Sequence, residues 1–552
     1  PHNGRKLRVF YGTVTAALAG VAIAAHSILF LACWEIMALS AFFLVTTEDE
    51  DRAVREAGWV YLVTTHISTL CLFALFAILR VVTGSYALDP LPAGLISPAL
   101  VSVLFVLALV AFGCKAGLMP LHIWLPGAHA MTPSHVSALM SGVLIKIGIY
   151  GLVRMLSWLP DPPVWWGGTL LVLGAVSGIL GVVLALGQHD LKRLLAYHSI
   201  ENIGIIVMGL GLAMVGRSLD CVEWVVLGLA GALLHTWNHG MFKALLFLSA
   251  GAVIHVTHCR DIDHLGGLAK MMPRTAVCFA IGAAAICGLP PLNGFVSELL
   301  IYLGAFRALG IGQSASWAGA AFVVPALALI GGLAVACFVK AFGAVFLGAA
   351  RSPHCAHARE VGNEMTGPMF VLAGCCLMIG LVPLAVAPLL DAGIRVWGAA
   401  LPVVPPALAS LAPLGWLSFG SFALLVLLGV LAYSLVRQLR RGGVKQGVTW
   451  DCGYAAPSAR MQYTASSFAQ TLGGLFSWIQ RPRIHAPGAL SVFAGPAKFR
   501  SHVLDIVLDA ALKPMFRLAG KLMSSLRFIQ AGNIHMYLFY IVVFLIILLL
   551  WR

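Results

Sequence analysis

The chain has 552 residues, 60% of them in the set AVILMFWYC and only 10% charged, with a formal charge of +14 at pH 7. Soluble domains carry roughly 25% charged residues, so a soluble enzyme, a disordered chain and a nucleic-acid binder are excluded. Apolar runs of about 20 residues, each enough to cross about 30 Å of hydrocarbon, recur along nearly the whole length, which makes this an all-α polytopic membrane protein. In such a protein an excess of Lys and Arg belongs to the cytoplasmic loops rather than to a nucleic-acid partner.

Hydropathy predicts about 13 transmembrane helices, near 9–25, 27–46, 57–81, 97–119, 134–156, 168–187, 196–215, 223–253, 274–306, 318–348, 366–390, 411–436 and 532–551. Residues 1–8 read as a stub, 9–156 as a first five-helix repeat, 168–348 as a second, and 366–437 as two further spans. If loops alternate sides, twelve Lys and Arg fall on one side before residue 437, among them Arg52, Lys192, Arg260 and Arg351, and five on the other. The positive-inside rule then makes the loops around 48–56, 188–195, 256–273, 349–365 and 438–530 cytoplasmic. The first apolar stretch has no small-residue cleavage site, so no signal peptide is expected. The twelve cysteines form no C-x-x-C pair and fall mostly in apolar runs, where they act as small hydrophobes; neither an iron-sulfur cluster nor a structural metal is expected.

Lys115, Lys146, Lys243, Lys340, Glu35, Glu201 and Glu298 lie inside spans. At about 2.5–3.5 kcal/mol for each charge at a helix centre, seven unpaired groups would cost on the order of 20 kcal/mol, so they face a polar pathway rather than lipid. Two spans are interrupted beside such groups. Pro120, Pro126 and Pro133 follow Lys115, and Pro290, Pro291 and Gly294 precede Glu298; proline removes a backbone donor, which leaves free polar groups next to a charge. The order of features matches between the halves: a Glu in the second span, a broken fourth span and a Lys in the fifth, namely Lys146 and Lys340. Such symmetry points to an inverted repeat. Between the breaks His235, His239 and Lys243 recur every four residues on one helix face. An i, i+4 His pair can bind zinc, but no carboxylate or thiolate joins this face and Lys243 would repel a cation. Proton transfer suits the row better, because neutral imidazole both donates and accepts.

The segments WEIMALSAF around Glu35, KAGLMPLHIWLPGAH, DLKRLLAYHSIENIG, HGMFKALLFLSAGAVIH and GLPPLNGFVSELL resemble the proton-pumping antiporter-type subunits shared by complex I, Mrp-type cation/proton antiporters and membrane-bound nickel-iron hydrogenases. HSIENIGI and VTWDCGYAAPSARMQYTASSFAQTL resemble the hydrogenase-4 component B and formate hydrogenlyase subunit 3 branch. The resemblance implies that the chain begins at the family's fourth helix. It also implies that Glu35 and Lys115 form a charge couple, that Lys146, His235, His239 and Lys243 relay protons along a central axis, and that Glu298 is the exit-side carrier, with Lys340 matched less closely. Separating such a couple frees the lysine to release its proton, because burial disfavours its charge. No cofactor is implied, and the partners are other membrane subunits of a hydrogenase or complex I-like assembly; an Mrp-type Na⁺/H⁺ antiporter subunit or a complex I pumping subunit is the alternative. After Arg437 the chain turns basic, and 438–530 reads as a cytoplasmic segment ending in an amphipathic helix along the membrane surface. By resemblance this is a lateral helix strapping neighbouring subunits together, before a final span at 531–552.

Overall fold

A computed structural model describes residues 3–309, 315–399, 401–443, 458–459, 461–485, 500–525, 527, 532 and 534–550. The chain forms two units, residues 1–502 and 503–552. The first opens with α1 (Gly4–Ile23), α2 (Ser27–Val45) and α3 (Arg52–Thr83), followed by α4 (Pro98–Ala116), α5 (Leu125–Met131), α6 (Ser134–Leu139) and α7 (Ile145–Trp158). Then come α8 (Val164–Leu186), α9 (Leu191–Ser218), α10 (Val222–Thr257), α11 (Leu268–Met271), α12 (Pro273–Ile286), α13 (Asn293–Leu309) and α14 (Ala315–Phe346). After α15 (Pro353–Ala356), α16 (Asn363–Leu381), α17 (Ala387–Trp397), α18 (Leu408–Leu411) and α19 (Leu414–Gly442), the unit closes on α20 (Ala465–Leu475), α21 (Ser477–Gln480) and a hairpin of β1 (Arg483–His485) and β2 (Arg500–His502). The second unit holds α22 (Lys513–Ser525) and α23 (Ile534–Leu550).

Among the described residues, eleven helical stretches are long and apolar enough to cross a membrane, one of them running from α6 through α7, and they fall on eleven of the thirteen expected spans. The span expected at 274–306 is divided between α12 and α13, and the last, α23, is 17 residues long. Two boundaries differ from expectation. The helix expected after a stub at 1–8 already starts at Gly4. The segment 366–390 is one helix and the start of α17 rather than a single span. The segment 438–530 is described in part only; its CGY stretch at 452–454 lies outside the described residues.

Local signals set the ends of several helices. Asp51 accepts from Ala53 N at 2.8 Å, and Asp190 from Lys192 N and Arg193 N at 2.9 and 3.0 Å, so each carboxylate satisfies amides that the helix itself leaves unpaired. Packing then places α9 at the centre, with its whole membrane-crossing window buried against α8, α10, α5, α13 and α14. The contacts are made by small residues, as membrane helices require where no water drives association. A Cβ on Gly204 of α9 would lie 2.4 Å from Gly174 O of α8, and one on Gly228 of α10 would lie 2.8 Å from Gly209 O of α9.

The two breaks are built alike. α4 ends at Gly117 with φ +79°, and the turn after α12 contains Gly288 with φ +62°, a region open to glycine at no steric cost. Each break also holds a cis peptide, Met119–Pro120 and Pro290–Pro291. Two expected break residues prove to be helix starters: Pro126 lies in the first turn of α5 and Gly294 in the first turn of α13. Proline suits a first turn because its missing N–H would have no partner there. Gly294 is required by contact, since a Cβ would lie 1.9 Å from Ala285 O. Gly294→Ala is therefore expected to push α13 off α12 and cost about 1–3 kcal/mol, read as a lower unfolding temperature of the detergent-solubilised protein than that of Gly331→Ala, where the added methyl meets open space.

Candidate functional site

Lys115 occupies the last turn of α4, fully buried. Its ammonium sits 5.5 Å from the Trp34 ring centroid and 5.6 Å from that of Tyr61, and donates to the Tyr61 hydroxyl at 3.4 Å. Aromatic faces stabilise a cation without neutralising it. Glu35, the expected partner, instead has Oε2 3.9 Å from His66 Nε2, while its Oε1 is buried with no hydrogen-bond partner. The two charges are thus held by different neighbours, with Trp34 adjoining Glu35 in sequence. Trp124 Nε1 donates to Cys114 O at 2.8 Å, and Met119 N to Ser177 Oγ at 2.9 Å, which pins the broken segment.

Lys146 follows a π-helical turn, Met140–Leu144. Such a turn leaves backbone carbonyls out of the regular ladder and recurs at functional sites; here the Ser141 carbonyl accepts from Lys146 Nζ. Gly148 brings α7 against α4, because a Cβ there would lie 2.6 Å from Phe112 O and Ala116 N. From Lys146 a series of polar contacts, passing from the Ser141 carbonyl to the hydroxyl of the same residue, crosses to α10. Ser141 Oγ lies 2.9 Å from Ser199 Oγ, Ser199 Oγ donates to Leu195 O at 3.3 Å, and the same carbonyl accepts from Lys243 Nζ. Lys146 and Lys243, 97 positions apart, therefore meet across one turn of α9.

One turn before Lys243, His239 is fully buried with both ring nitrogens unpaired, and its ring lies 6.5 Å from that of His235. His235 is engaged on both sides: Nε2 with Asn202 Oδ1 at 3.0 Å, and Nδ1 with Ser297 Oγ at 2.9 Å. Asn202 Nδ2 is spent on His198 O at 2.8 Å, so its oxygen faces the ring; neutral His235 donates from Nε2 and accepts at Nδ1. These bonds hold His235 away from any metal shared with His239. Ser297 precedes Glu298 on α13, so the row on α10 ends beside the second broken helix. A Cβ on Gly288 would lie 2.6 Å from Glu298 Oε2, so the carboxyl packs directly onto the break.

Lys340, matched by order to Lys146, is placed differently. Its ammonium donates to Leu186 O at 2.6 Å and Gln188 O at 2.7 Å, at the C-terminal end of α8, rather than at mid-axis. The parallel between the halves holds for the breaks and fails for this side chain.

The description "NADH:quinone oxidoreductase/Mrp antiporter, TM" matches residues 24–327. Hydrogenase-4 component B of Escherichia coli is 36% identical over 98% of this chain and 82% of its own length, and formate hydrogenlyase subunit 3 of the same organism is 34% identical over 87% and 76%. The chain belongs to the NADH:quinone oxidoreductase/Mrp antiporter family. The fold agrees: a chain in the structure of the membrane-bound sulfane sulfur reductase, an archaeal respiratory membrane complex, superposes with a TM-score of 0.71 over 97% of this chain and 82% of that one, at 22% identity.

Three buried groups of this family member escaped the sequence reading. His129 on α5 is fully buried with both ring nitrogens unpaired, stacked 5.3 Å from Phe247, whose ring also lies 5.2 Å from Lys243 Nζ. It stands in the quoted segment around Pro126, where only the prolines and Lys115 drew notice. Lys192, counted among loop charges, is 4% exposed and donates to Thr132 O; its place next to the capping Asp190 was the only local hint of a helix start. His198 pairs with Glu201 through Nδ1, both buried, an i, i+3 spacing that was legible on α9. A cleft of about 350 Å³ lined by Glu48, Thr132, His135, Lys192, His255 and Arg260 opens beside Lys192.

Proposed function

We propose that the chain is a proton-translocating subunit of a membrane-bound redox complex of the hydrogenase-4 or formate hydrogenlyase kind, with no redox centre of its own. The observation that carries this reading is the set of buried titratable side chains brought to one axis: Lys146 and Lys243, anchored on the Ser141 and Leu195 carbonyls on either side of the Ser141–Ser199 hydroxyl contact, followed by His239, His235 and, next to Ser297, Glu298. Lysine and glutamate can each take and return a proton near neutrality when buried, and the neutral imidazoles and hydroxyls between them both donate and accept. Sodium exchange of the Mrp type is the weaker reading, because a hard cation needs a cage of oxygen ligands, whereas this axis presents ammonium groups and imidazoles.

Protons enter by the cleft beside Lys192 and leave past Glu298, driven by charge movement next to Glu35 and Lys115. The membrane is a bacterial inner membrane, and the loops around 48–56, 188–195, 256–273, 349–365 and 438–530 face the cytoplasm, as their basic residues support. In the second unit Met515, Leu518 and Leu522 on α22 are exposed, with Lys513, Arg517 and Lys521 interleaved at helical spacing. That pattern suits a helix lying on a membrane surface against other membrane subunits.

The test is Lys115→Arg in the intact complex, reconstituted in vesicles with a pH-sensitive dye. Guanidinium keeps the charge but does not release its proton at any accessible pH. Translocation is expected to stop while the complex still assembles; full pumping by the Arg variant contradicts the assigned role.

A further inference from the structure

The loop after α8 and the loop after α10 are joined by a short piece of antiparallel backbone: Leu191 N donates to Arg260 O and Ile262 N to His189 O, each at 2.9 Å. The Arg260–Asp190 ion pair, 2.8 Å, braces the junction from outside. Within it His189 is held on both ring nitrogens, Nδ1 by Asp263 Oδ2 at 2.8 Å and Nε2 by Ser501 Oγ at 2.8 Å. The other Asp263 oxygen accepts from Ala465 N, the first residue of α20, at 2.7 Å. A carboxylate is an acceptor only, so His189 must present Nδ1–H to Asp263. Its Nε2 lone pair then faces the Ser501 hydroxyl. An imidazole so oriented takes a proton at Nε2 and, as imidazolium, keeps a carboxylate partner.

Lys340 lies at the same loop. It is fully buried, and two of its three N–H donors go to the carbonyls of Leu186 and Gln188. Carbonyls can accept hydrogen bonds but cannot carry a proton away. The residue that follows Gln188 is His189, and unlike Lys340 it reaches water: its side chain is 22% exposed and that of Asp263 28%. Burial raises the Asp263 carboxyl, but the hydrogen bonds from His189 and Ala465 N and the charges of His189 and Lys340 outweigh it and hold the group below its ordinary range. The nearby Arg351 guanidinium is turned to the carbonyls of Ile262 and Tyr463.

We propose that His189, oriented by Asp263 and Ser501, is the group through which Lys340 exchanges its proton with water at this end of the membrane-spanning core. The inference rests on the proton-translocation reading above and adds two loop residues that the central axis does not use. In the direction of uptake a proton from bulk water binds His189 Nε2 and passes from the imidazolium to the neutral Lys340 amine, so an O–H bond of hydronium is exchanged for the imidazolium N–H and then for the ammonium N–H. The other account of these contacts is mechanical, a lysine on the carbonyl end of α8 and a latch tying α20 to the loops.

The experiment compares His189→Ala and His189→Gln in the intact reconstituted complex, with and without imidazole in the medium. Proton transfer by a positioned side chain contributes on the order of 10²-fold or more, so both variants are expected to pump at least that much more slowly at unchanged complex yield. Imidazole is expected to restore pumping to the Ala variant, which leaves room for the ring, and not to the Gln variant. Undiminished pumping by the Ala variant, a loss that imidazole does not relieve, or a fall in complex yield shared by both variants overturns the inference in favour of the latch. A wild-type complex that does not acidify vesicles overturns the translocation reading itself, a result distinguishable from all of these.

Discussion

Lys243→Ala is expected to abolish proton translocation while leaving insertion and assembly of the protein close to normal. Lys243 closes the contact chain from Lys146 through Ser141 and Ser199 to the Leu195 carbonyl, and it also stands over Phe247 next to His129. Without its ammonium, no titratable side chain links the lysine on α7 to the histidines on α10 through these contacts. The energetic balance explains why assembly survives. Removing one charge from a helix centre relieves about 2.5–3.5 kcal/mol on insertion scales, whereas the lost charge-assisted hydrogen bond was worth about 1.5–3 kcal/mol. The two nearly cancel. The measurement pairs the yield of intact complex with the initial rate of vesicle acidification, and normal acidification at normal yield would remove Lys243 from the path.

The second large effect is expected at Glu298. Glu298→Gln keeps the shape that packs on Gly288 and keeps hydrogen-bonding capacity, but the amide cannot ionise. If Glu298 is the last carrier, pumping stops, His235 keeps its bonds to Ser297 and Asn202, and the complex is recovered in full. A residue serving only as an anchor would behave in reverse, with lower yield and normal pumping per complex. Pumping by the Glu298→Gln variant at the wild-type rate would show that the proton leaves elsewhere and would remove Glu298 from the path.

Much of the architecture was legible in the chain because its causes are local. About 20 apolar residues in a row can only be a membrane-crossing helix, and eleven helical stretches among the described residues stand on expected spans. The prolines and glycines clustered after Lys115 and before Glu298 made those two interruptions readable from the sequence, whereas the single prolines Pro325 and Pro368 stay inside α14 and α16. The periodicity of α10 put His235, His239 and Lys243 on one face for the same reason. Even there, local rules had two senses: Pro126 and Gly294 mark the resumption of helices rather than their interruption, since proline fits a first turn as well as it ends a helix.

Other features depend on which helices touch, and no single segment encodes that. Matching by order paired Lys340 with Lys146, but the contact of α14 with α8 carries Lys340 to the carbonyls at the end of α8. Lys192 looked like a loop charge, and His129 had no visible role, until α5 packed on α9 and buried both. The sequence by itself determined that the protein is a membrane-embedded bundle with costly charges and two breaks, because hydrophobic length, charge and the missing proline donor act residue by residue. The tertiary structure decided which charges meet, because glycine contacts such as those of Gly148 in α7 against α4 and of Gly204 in α9 against α8 bring remote helices close enough for their polar side chains to line one path.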